Sequence, residues 1–65
     1  MKKRTWLISY RNMRGLSQFE VAKLSDITQQ MYGYIENGKR SPSPKLAQKI
    51  AKILDFDWTK FYEGE

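Results

Sequence analysis

The chain has 65 residues, a net charge of +5 at pH 7, and neither cysteine nor histidine. A chain of this length forms one small domain, residues 1–65, whose folding buries only about 60% of the surface that the unfolded chain exposes. Without cysteine there are no disulfides or thiolate metal sites, and without histidine the commonest general base and metal ligand is missing. The composition therefore predicts a protein that is not an enzyme and holds no metal or cofactor.

The positive charge is unevenly distributed along the chain. Residues 1–45 carry nine basic and three acidic side chains, whereas residues 46–65 carry three and four. This asymmetry suggests a surface that faces a polyanion, although charge alone favours the plainer interpretation of a soluble basic protein. No apolar run has membrane-spanning length, and the start of the chain lacks the apolar region and cleavage site of a signal peptide. A cytoplasmic protein without membrane association is the expectation.

Five helices are predicted in chain order, and no strand pattern competes with them. The first runs from about Thr5 to Met13 and ends at Gly15, and the second covers Gln18–Leu24. The third covers Gln29–Glu36 and stops at Asn37–Gly38. The fourth is capped by Ser43 with Pro44 at its first position, and the fifth is short and capped by Asp57. Apolar residues of the fourth helix recur at three- and four-residue spacing, which is typical of a helix face directed at a core. The fold class is a compact all-α bundle.

Residues 17–38 contain two short helices, each with its own cap, separated by a tight break. Ser17 and Glu20 have the spacing of a capping box, and Thr28 is the N-cap of the next helix. Leu16 with Val21 and Ile27 with Tyr32 are the matching hydrophobic staples, as Phe56 and Phe61 are for the fifth helix. Two compact helices that meet at a sharp turn predict a helix-turn-helix.

The first turn of the third helix carries Gln29 and Gln30. A glutamine amide presents a donor beside an acceptor, which matches N6 and N7 of adenine in the major groove. Exposed glutamines are ordinary helix surface elsewhere, but at the start of a recognition helix they point into the groove. Tyr34 is the third candidate for base contact, with packing against its neighbours as the equal alternative. Met31 is a weaker candidate, and Tyr32 is expected in the core.

Phosphate contacts are predicted from residues on both sides of the recognition helix. Gln18 adds an amide to the N–H groups at the start of the second helix, and Asn37, Lys39 and Arg40 follow the third helix. Arg14 and Lys45 are possible additions. The basic run Lys2, Lys3 and Arg4 is interpreted as a flexible arm or, in preference, as a solvated tail.

Two further residues of the third helix have separate interpretations. Glu36 is an isolated carboxylate in the basic part of the chain, where DNA would repel it, so a structural ion pair with Arg11 is expected. Gly33 in a helix interior costs about 0.5–1 kcal/mol relative to alanine. It indicates a close approach of the backbone to another group or a side chain that would clash with DNA, and a tolerated imperfection is the alternative.

With these residues in view, the chain resembles the Xre family of helix-turn-helix regulators, related to the Cro and CI repressors of lambdoid phages. The resemblance rests on WLISYRNMRGLSQFEVA, IENGKRSPS and KLAQKIAKILDFDW, which occur in this order over nearly the whole chain. It implies a five-helix, lambda-repressor-like domain whose third helix enters the major groove. It also implies base contacts from Gln29, Gln30 and Tyr34 and phosphate contacts from Gln18, Asn37, Lys39 and Arg40.

The chain departs from the family pattern at two turns. Asp26 stands where the family usually has glycine between the two helices, with Ser25 before it in place of a small or aliphatic residue, and Asp55 replaces a common glycine after the fourth helix. Aspartate tolerates the left-handed conformation better than most residues, so both turns are expected to form at some cost in stability.

The function predicted from these features is a sequence-specific double-stranded DNA-binding transcriptional regulator, a repressor that occludes a promoter. The alternative is an antitoxin-like module that binds another protein as well as its own promoter. A homodimer on a two-fold operator is expected because one domain of this size contacts about one half-site. The aromatic residues Phe56, Trp58, Phe61 and Tyr62 exceed what so small a core hides, so Trp58 or Tyr62 is the expected dimer contact, unless all four simply close the bundle.

Overall fold

The computed structural model describes residues 3–63, and within them it contains four α-helices, one 3-10 helix and no strand. The helices are α1 (Thr5–Met13), α2 (Gln18–Leu24), α3 (Gln29–Asn37) and α4 (Pro44–Leu54), and the 3-10 helix covers Trp58–Tyr62. The all-α fold class is confirmed. The count of five helices is slightly wrong for α-helices, because the fifth segment has only five residues and winds into the tighter 3-10 form that is common in short pieces.

The predicted caps fix where the helices begin. Ser17 and Glu20 form the complete capping box of α2, and the side chains of Thr28 and Ser43 accept hydrogen bonds from the backbone of α3 and α4. Asp57 caps the 3-10 helix by accepting from the backbone N–H of Thr59. Each cap satisfies an N–H group that the helix itself leaves without a partner, so local sequence alone determines these boundaries.

Two aspartates occupy the left-handed region at the turns where the family that the chain resembles usually has glycine. Asp26 has φ of 61° between α2 and α3, and Asp55 has φ of 62° at the end of α4. The helix-turn-helix therefore keeps its tight turn without glycine, as predicted. Aspartate carries a Cβ into this conformation, which costs more than glycine would.

The core lies where α1, α2, α3, α4 and the 3-10 helix meet. Its buried members are Leu7, Val21, Ala22, Tyr32, Ile35, Ala47, Ile50, Leu54 and Phe61. Trp6, Tyr10 and Phe56 pack against this cluster, with the Trp6 and Phe61 rings 5.2 Å apart in an edge-on arrangement. Tyr32 is fully buried, which confirms its predicted place in the core. This packing leaves one side of α3 against the core and the other at the surface.

Candidate nucleic-acid interface

The exposed side of α3 borders an open hollow on the surface of the domain. It is lined by Gln18 from the start of α2 and by five residues of α3: Gln29, Gln30, Gly33, Tyr34 and Asn37. The capped start of each helix brings Gln18 next to α3, since the turn at Asp26 sets the two helices against each other. Three predicted base contacts and two predicted phosphate contacts therefore lie around one hollow.

The glutamines of the first turn leave polar groups free for a ligand. Gln29 and Gln30 are both exposed, and the Nε2 of Gln30 donates a hydrogen bond to the hydroxyl of Tyr34 at 3.0 Å. Tyr34 is half-buried, so it both packs and lines the hollow. Of the two interpretations of Tyr34 in the sequence, packing is observed, and base contact stays a prediction.

The loop after α3 carries two exposed cations to the edge of the hollow. The backbone N–H groups of Lys39 and Arg40 donate to the carbonyl oxygen of Tyr34 at 2.9 and 3.3 Å. The Lys39 Nζ lies 5.6 Å from the Tyr34 ring centroid, and the Arg40 guanidinium lies 6.0 Å from it. Gly38, with φ of 79°, ends α3 in the left-handed conformation and turns the chain so that this loop begins. Positive charge is thereby placed beside the polar side chains of α3.

The opposite side of α3 carries an ion pair in which Glu36 is buried and Arg11 is partly buried. Arg11 Nε donates to Glu36 Oε2 at 2.6 Å and Arg11 Nη2 donates to Glu36 Oε1 at 3.3 Å, which confirms the predicted structural pair. Burial works to raise the pKa of Glu36, but the hydrogen bonds from Arg11 and Gln18 outweigh it and the pKa is lowered. The hydrogen bond with Glu36 raises the pKa of Arg11. Glu36 therefore stays ionised without presenting its charge to the surface.

Gln18 connects this ion pair to the hollow. Its Nε2 donates to Glu36 Oε1 at 2.8 Å, a contact that sequence reasoning did not predict. One of the two N–H groups of the amide is therefore occupied by the protein, so the predicted phosphate contact would use the second. The hydrogen bond to Glu36 has no local signal in the sequence, because α2 and α3 meet only in the folded chain.

Arg4 is neither a flexible arm nor a solvated tail, and the sequence interpretation of this residue was wrong. It is buried, and its guanidinium donates to the carbonyl oxygens of Ile35 at 2.7 Å and Arg40 at 3.1 Å and to the hydroxyl of Ser41 at 3.3 Å. Ile35 lies in the last turn of α3, where its carbonyl oxygen also accepts from the Gly38 N–H at 3.3 Å, and Arg40 lies in the loop that follows. Arg4 thus holds the loop that carries Lys39 and Arg40. Lys3 is exposed, and Lys2 lies outside the described residues.

The remaining candidates lie apart from the hollow. Arg14 is half-exposed, with its Nη2 3.8 Å from Asp55 Oδ2, and Lys45 is exposed at the start of α4. Trp58 is half-buried and Tyr62 is 36% exposed, with its hydroxyl donating to the Pro42 carbonyl at 2.9 Å. Phe61 is buried, so only part of the aromatic group reaches the surface.

Two short capped helices around a tight turn, with the second helix exposing a polar first turn, define a helix-turn-helix protein. The chain matches the HTH_3 family of helix-turn-helix domains over residues 7–61, and it belongs to this family, the Xre and Cro/CI type of transcriptional regulators. The family is one of DNA-binding regulators and is not typically enzymatic. Among residues 3–63, no helix has the length and apolar character needed to cross a bilayer.

Similar proteins occur in bacteria and archaea. An uncharacterised HTH-type transcriptional regulator of Bacillus subtilis, YqaF, is 47% identical over 60 residues, which cover 92% of this chain and 79% of the relative. An uncharacterised HTH-type transcriptional regulator of Archaeoglobus fulgidus is 35% identical over 52 residues, covering 80% and 74% of the two chains. One from Methanocaldococcus jannaschii is 44% identical over 45 residues, covering 69% and 68%. No solved structure gives a significant match to the chain.

Proposed function

We propose that residues 1–65 act as a single domain that binds double-stranded operator DNA and represses transcription, with α3 in the major groove. The observation that carries this proposal is the hollow along α3, where Gln18, Gln29, Gln30, Tyr34 and Asn37 lie together beside the exposed cations Lys39 and Arg40. Free amide groups next to positive charge suit a ligand that offers base edges between two rows of phosphates.

In this proposal, residues in the first turn of α3 select the bases of the operator. Gln29 and Gln30 are exposed there, and each amide offers the donor and acceptor that adenine matches in the major groove. A bidentate contact of this kind is worth about 1–3 kcal/mol of discrimination against a wrong base. Tyr34, one turn further along the helix, extends the contact to a neighbouring base pair.

Affinity without sequence preference comes from the residues around this reading surface. Lys39 and Arg40 are exposed at the end of α3, Asn37 lies in its last turn, and Gln18 contributes the amide N–H that Glu36 leaves free. Each phosphate contacted releases counterions, so binding weakens as salt rises. The net charge of +5 supports the same attraction to DNA.

Repression follows from occupancy of a promoter by a dimer on a two-fold site. One domain presents one recognition helix, so a second copy would double the number of bases read. The partly exposed aromatics Trp58 and Tyr62 lie in the 3-10 helix and supply apolar surface for such a contact. Sedimentation at micromolar concentration tests this: a single monomeric species with and without operator DNA would contradict the dimer.

The proposal is tested by selection from a randomised duplex library, followed by fluorescence anisotropy of the selected site across a series of salt concentrations. Gln29→Ala should relax the preference at one base pair and leave the salt dependence unchanged. Lys39→Ala should weaken binding to all sequences and reduce the salt slope by about one. Lys49→Ala, which removes an exposed lysine of α4, is the charge-matched control. A wild-type chain that enriches no sequence would contradict the proposal.

A further inference from the structure

Tyr34 contacts both groups of residues that the proposed function assigns to DNA. Its hydroxyl accepts a hydrogen bond from Gln30 Nε2 at 3.0 Å. Its carbonyl oxygen accepts from the N–H groups of Lys39 and Arg40, and its ring lies 5.6 Å from the Lys39 ammonium and 6.0 Å from the Arg40 guanidinium. One residue therefore joins a predicted base contact to two predicted phosphate contacts.

The hydrogen bond from Gln30 determines what the Tyr34 hydroxyl has left to offer. A phenolic hydroxyl carries one O–H donor, and here its oxygen already accepts from the amide. The O–H proton then points to a further acceptor. At the centre of the major groove, guanine O6 and thymine O4 accept hydrogen bonds, whereas the amino groups of adenine and cytosine donate them. At that central place a donating hydroxyl therefore favours keto bases over amino bases, whereas the N7 acceptors of both purines lie nearer the edge of the base pair.

The same hydrogen bond also holds the Gln30 side chain. An exposed glutamine has several rotatable bonds, and fixing them on binding reduces affinity. With one N–H of the amide bound to Tyr34, the second N–H and Oε1 remain, which is the pair that adenine matches. The partner residue thereby limits the orientations that the amide samples before DNA arrives.

We propose that Gln30 and Tyr34 form one reading unit for two neighbouring base pairs, a refinement that rests on the proposed function. The Tyr34 hydroxyl donates to a keto base, guanine or thymine, while Gln30 is held for the adjacent base pair. The Tyr34 ring keeps the cations Lys39 and Arg40 close to the phosphates of the same groove. Tyr34 is thus both a specificity residue and a positioning residue.

The test compares selections from a randomised library by the wild type, Tyr34→Phe, Gln30→Ala and the double variant. The wild type should enrich guanine or thymine at one position. Tyr34→Phe should lower that preference roughly threefold to tenfold, the range for one neutral hydrogen bond, and should also relax the position read by Gln30. The fold-loss of base preference in the double variant should be smaller than the product of the fold-losses in the two single variants. Gln29→Ala, the matched control, should affect a different position and combine with Tyr34→Phe independently.

A second pair of variants separates the hydroxyl from the ring. Tyr34→Phe keeps the ring, so its affinity should fall more for the selected site than for non-specific DNA. Tyr34→Leu removes the ring, so binding to all sequences should weaken severalfold. Circular dichroism checks that both variants fold, and unequal folding would be corrected by measuring the active fraction with excess DNA.

The possible outcomes distinguish this inference from the proposed function. A wild-type preference for adenine or cytosine at the Tyr34 position would mean that the hydroxyl does not donate to a keto oxygen there. Independent effects of Tyr34→Phe and Gln30→Ala would mean that there is no unit. Either result overturns the inference while the selected site still supports DNA recognition. If the wild type enriches no sequence, the proposed function itself fails.

Discussion

The two sides of α3 both carry polar side chains, but they differ in whether the protein already satisfies them. On the inner side, Glu36 is 1% exposed and receives hydrogen bonds from Arg11 and Gln18. On the outer side, Gln29 is exposed, and Gln30 has only one of its amide N–H groups bound, to Tyr34. A buried charge without a partner is costly, so the Glu36 carboxylate must be satisfied within the fold. The outer set is open to a ligand.

This difference predicts which substitutions reduce stability and which reduce DNA binding. Changes to the inner network should lower the free energy of unfolding, and changes to the outer residues should alter DNA binding at nearly unchanged stability. This division would be contradicted by an outer-side substitution that unfolds the domain or by an inner-side substitution that does not affect stability.

The largest effect is expected from Arg11→Met, which leaves the Glu36 carboxylate buried without its cation. Removing one partner of a buried ion pair costs about 3–5 kcal/mol, comparable with the whole free energy of unfolding of many small domains. Urea unfolding followed by circular dichroism measures the loss. Arg14→Met is the matched control, because the Arg14–Asp55 pair is exposed and such pairs contribute at most about 1 kcal/mol. Equal losses in the two variants would show that burial does not distinguish the pairs.

The same ion pair should make stability depend on pH at the acid end, with an effect no larger than that of Arg11→Met. The pKa of Glu36 in the folded chain is below its ordinary value of 4.5, so the unfolded chain takes up a proton more readily. The stabilisation is fully present above that ordinary value and is lost as pH falls through the lowered pKa. The Glu36→Gln variant should have a lower free energy of unfolding than the wild type at pH 7. Its free energy of unfolding should also fall less steeply as the pH is lowered.

A control separates Glu36 from the other carboxylates in this pH range. Hydrogen bonds to Ser17 lower the pKa of Glu20, and hydrogen bonds to Thr59 lower that of Asp57, so both act in the same direction as Glu36. Both are capping residues at the surface. Glu20→Gln should therefore retain most of the acid-dependent loss of stability measured for the wild type. If Glu20→Gln removed the pH dependence of stability as fully as Glu36→Gln does, the capping residue Glu20 would be the source of that dependence.

A smaller effect is expected from Arg4→Met, which removes the side chain that bonds to the end of α3. The carbonyl groups of Ile35 and Arg40 would lose a charged donor, at a cost of about 1–3 kcal/mol. Binding to all DNA sequences should also weaken, since Arg4 holds the loop that carries Lys39 and Arg40. Thermal unfolding and salt-dependent anisotropy measure the two effects. Lys3→Met, at the exposed neighbouring position, should change stability by less than about 0.5 kcal/mol. If Arg4→Met and Lys3→Met changed stability and DNA affinity equally, Arg4 would not hold the loop after α3.

How much the sequence predicts depends on whether a feature is local. Helix starts at Ser17, Thr28 and Ser43 were predictable because a cap acts within three residues of itself. The Arg11–Glu36 pair was predictable from a different argument, that an isolated carboxylate in a basic region must be neutralised. The burial of Arg4 was not predictable, because the carbonyls of Ile35 and Arg40 to which its side chain donates lie 31 and 36 residues away in the chain. A basic residue near the start of a chain also gives no sign of burial.

The candidate site also has features that local sequence predicts and features that depend on the fold. Its residue types follow from their place in the helix-turn-helix pattern, so Gln29 and Gln30 could be named from sequence. The hydrogen bond from Gln30 to Tyr34 spans one helical turn, but tyrosine and glutamine at that spacing have many other arrangements. The tether from Gln18 to Glu36 depends on how α2 packs on α3. Sequence indicates the candidate residues of the site, and the fold decides which of their atoms are free for a ligand.

The smallest effect is expected at Gly33, which lies between the two sides of α3 and lines the hollow. A Cβ at this position would meet Gln18 Oε1 at 3.8 Å, an ordinary contact, so packing within the described chain does not require glycine. Gly33→Ala should therefore stabilise the helix by about 0.5–1 kcal/mol, which raises the melting temperature by several degrees in a domain of this size. A fall in stability would mean that the backbone there cannot carry a side chain.

DNA affinity of the same variant decides between the remaining explanations of this glycine. If Gly33→Ala is more stable and binds the selected site less tightly, the position is kept open for the close approach of DNA to α3. If it is more stable and binds equally well, the glycine is a tolerated imperfection. Ser9→Ala, an exposed position in α1, provides a matched control in which helix propensity changes without any residue of the hollow. Only the first result would place Gly33 with the outer, ligand-facing side of the helix.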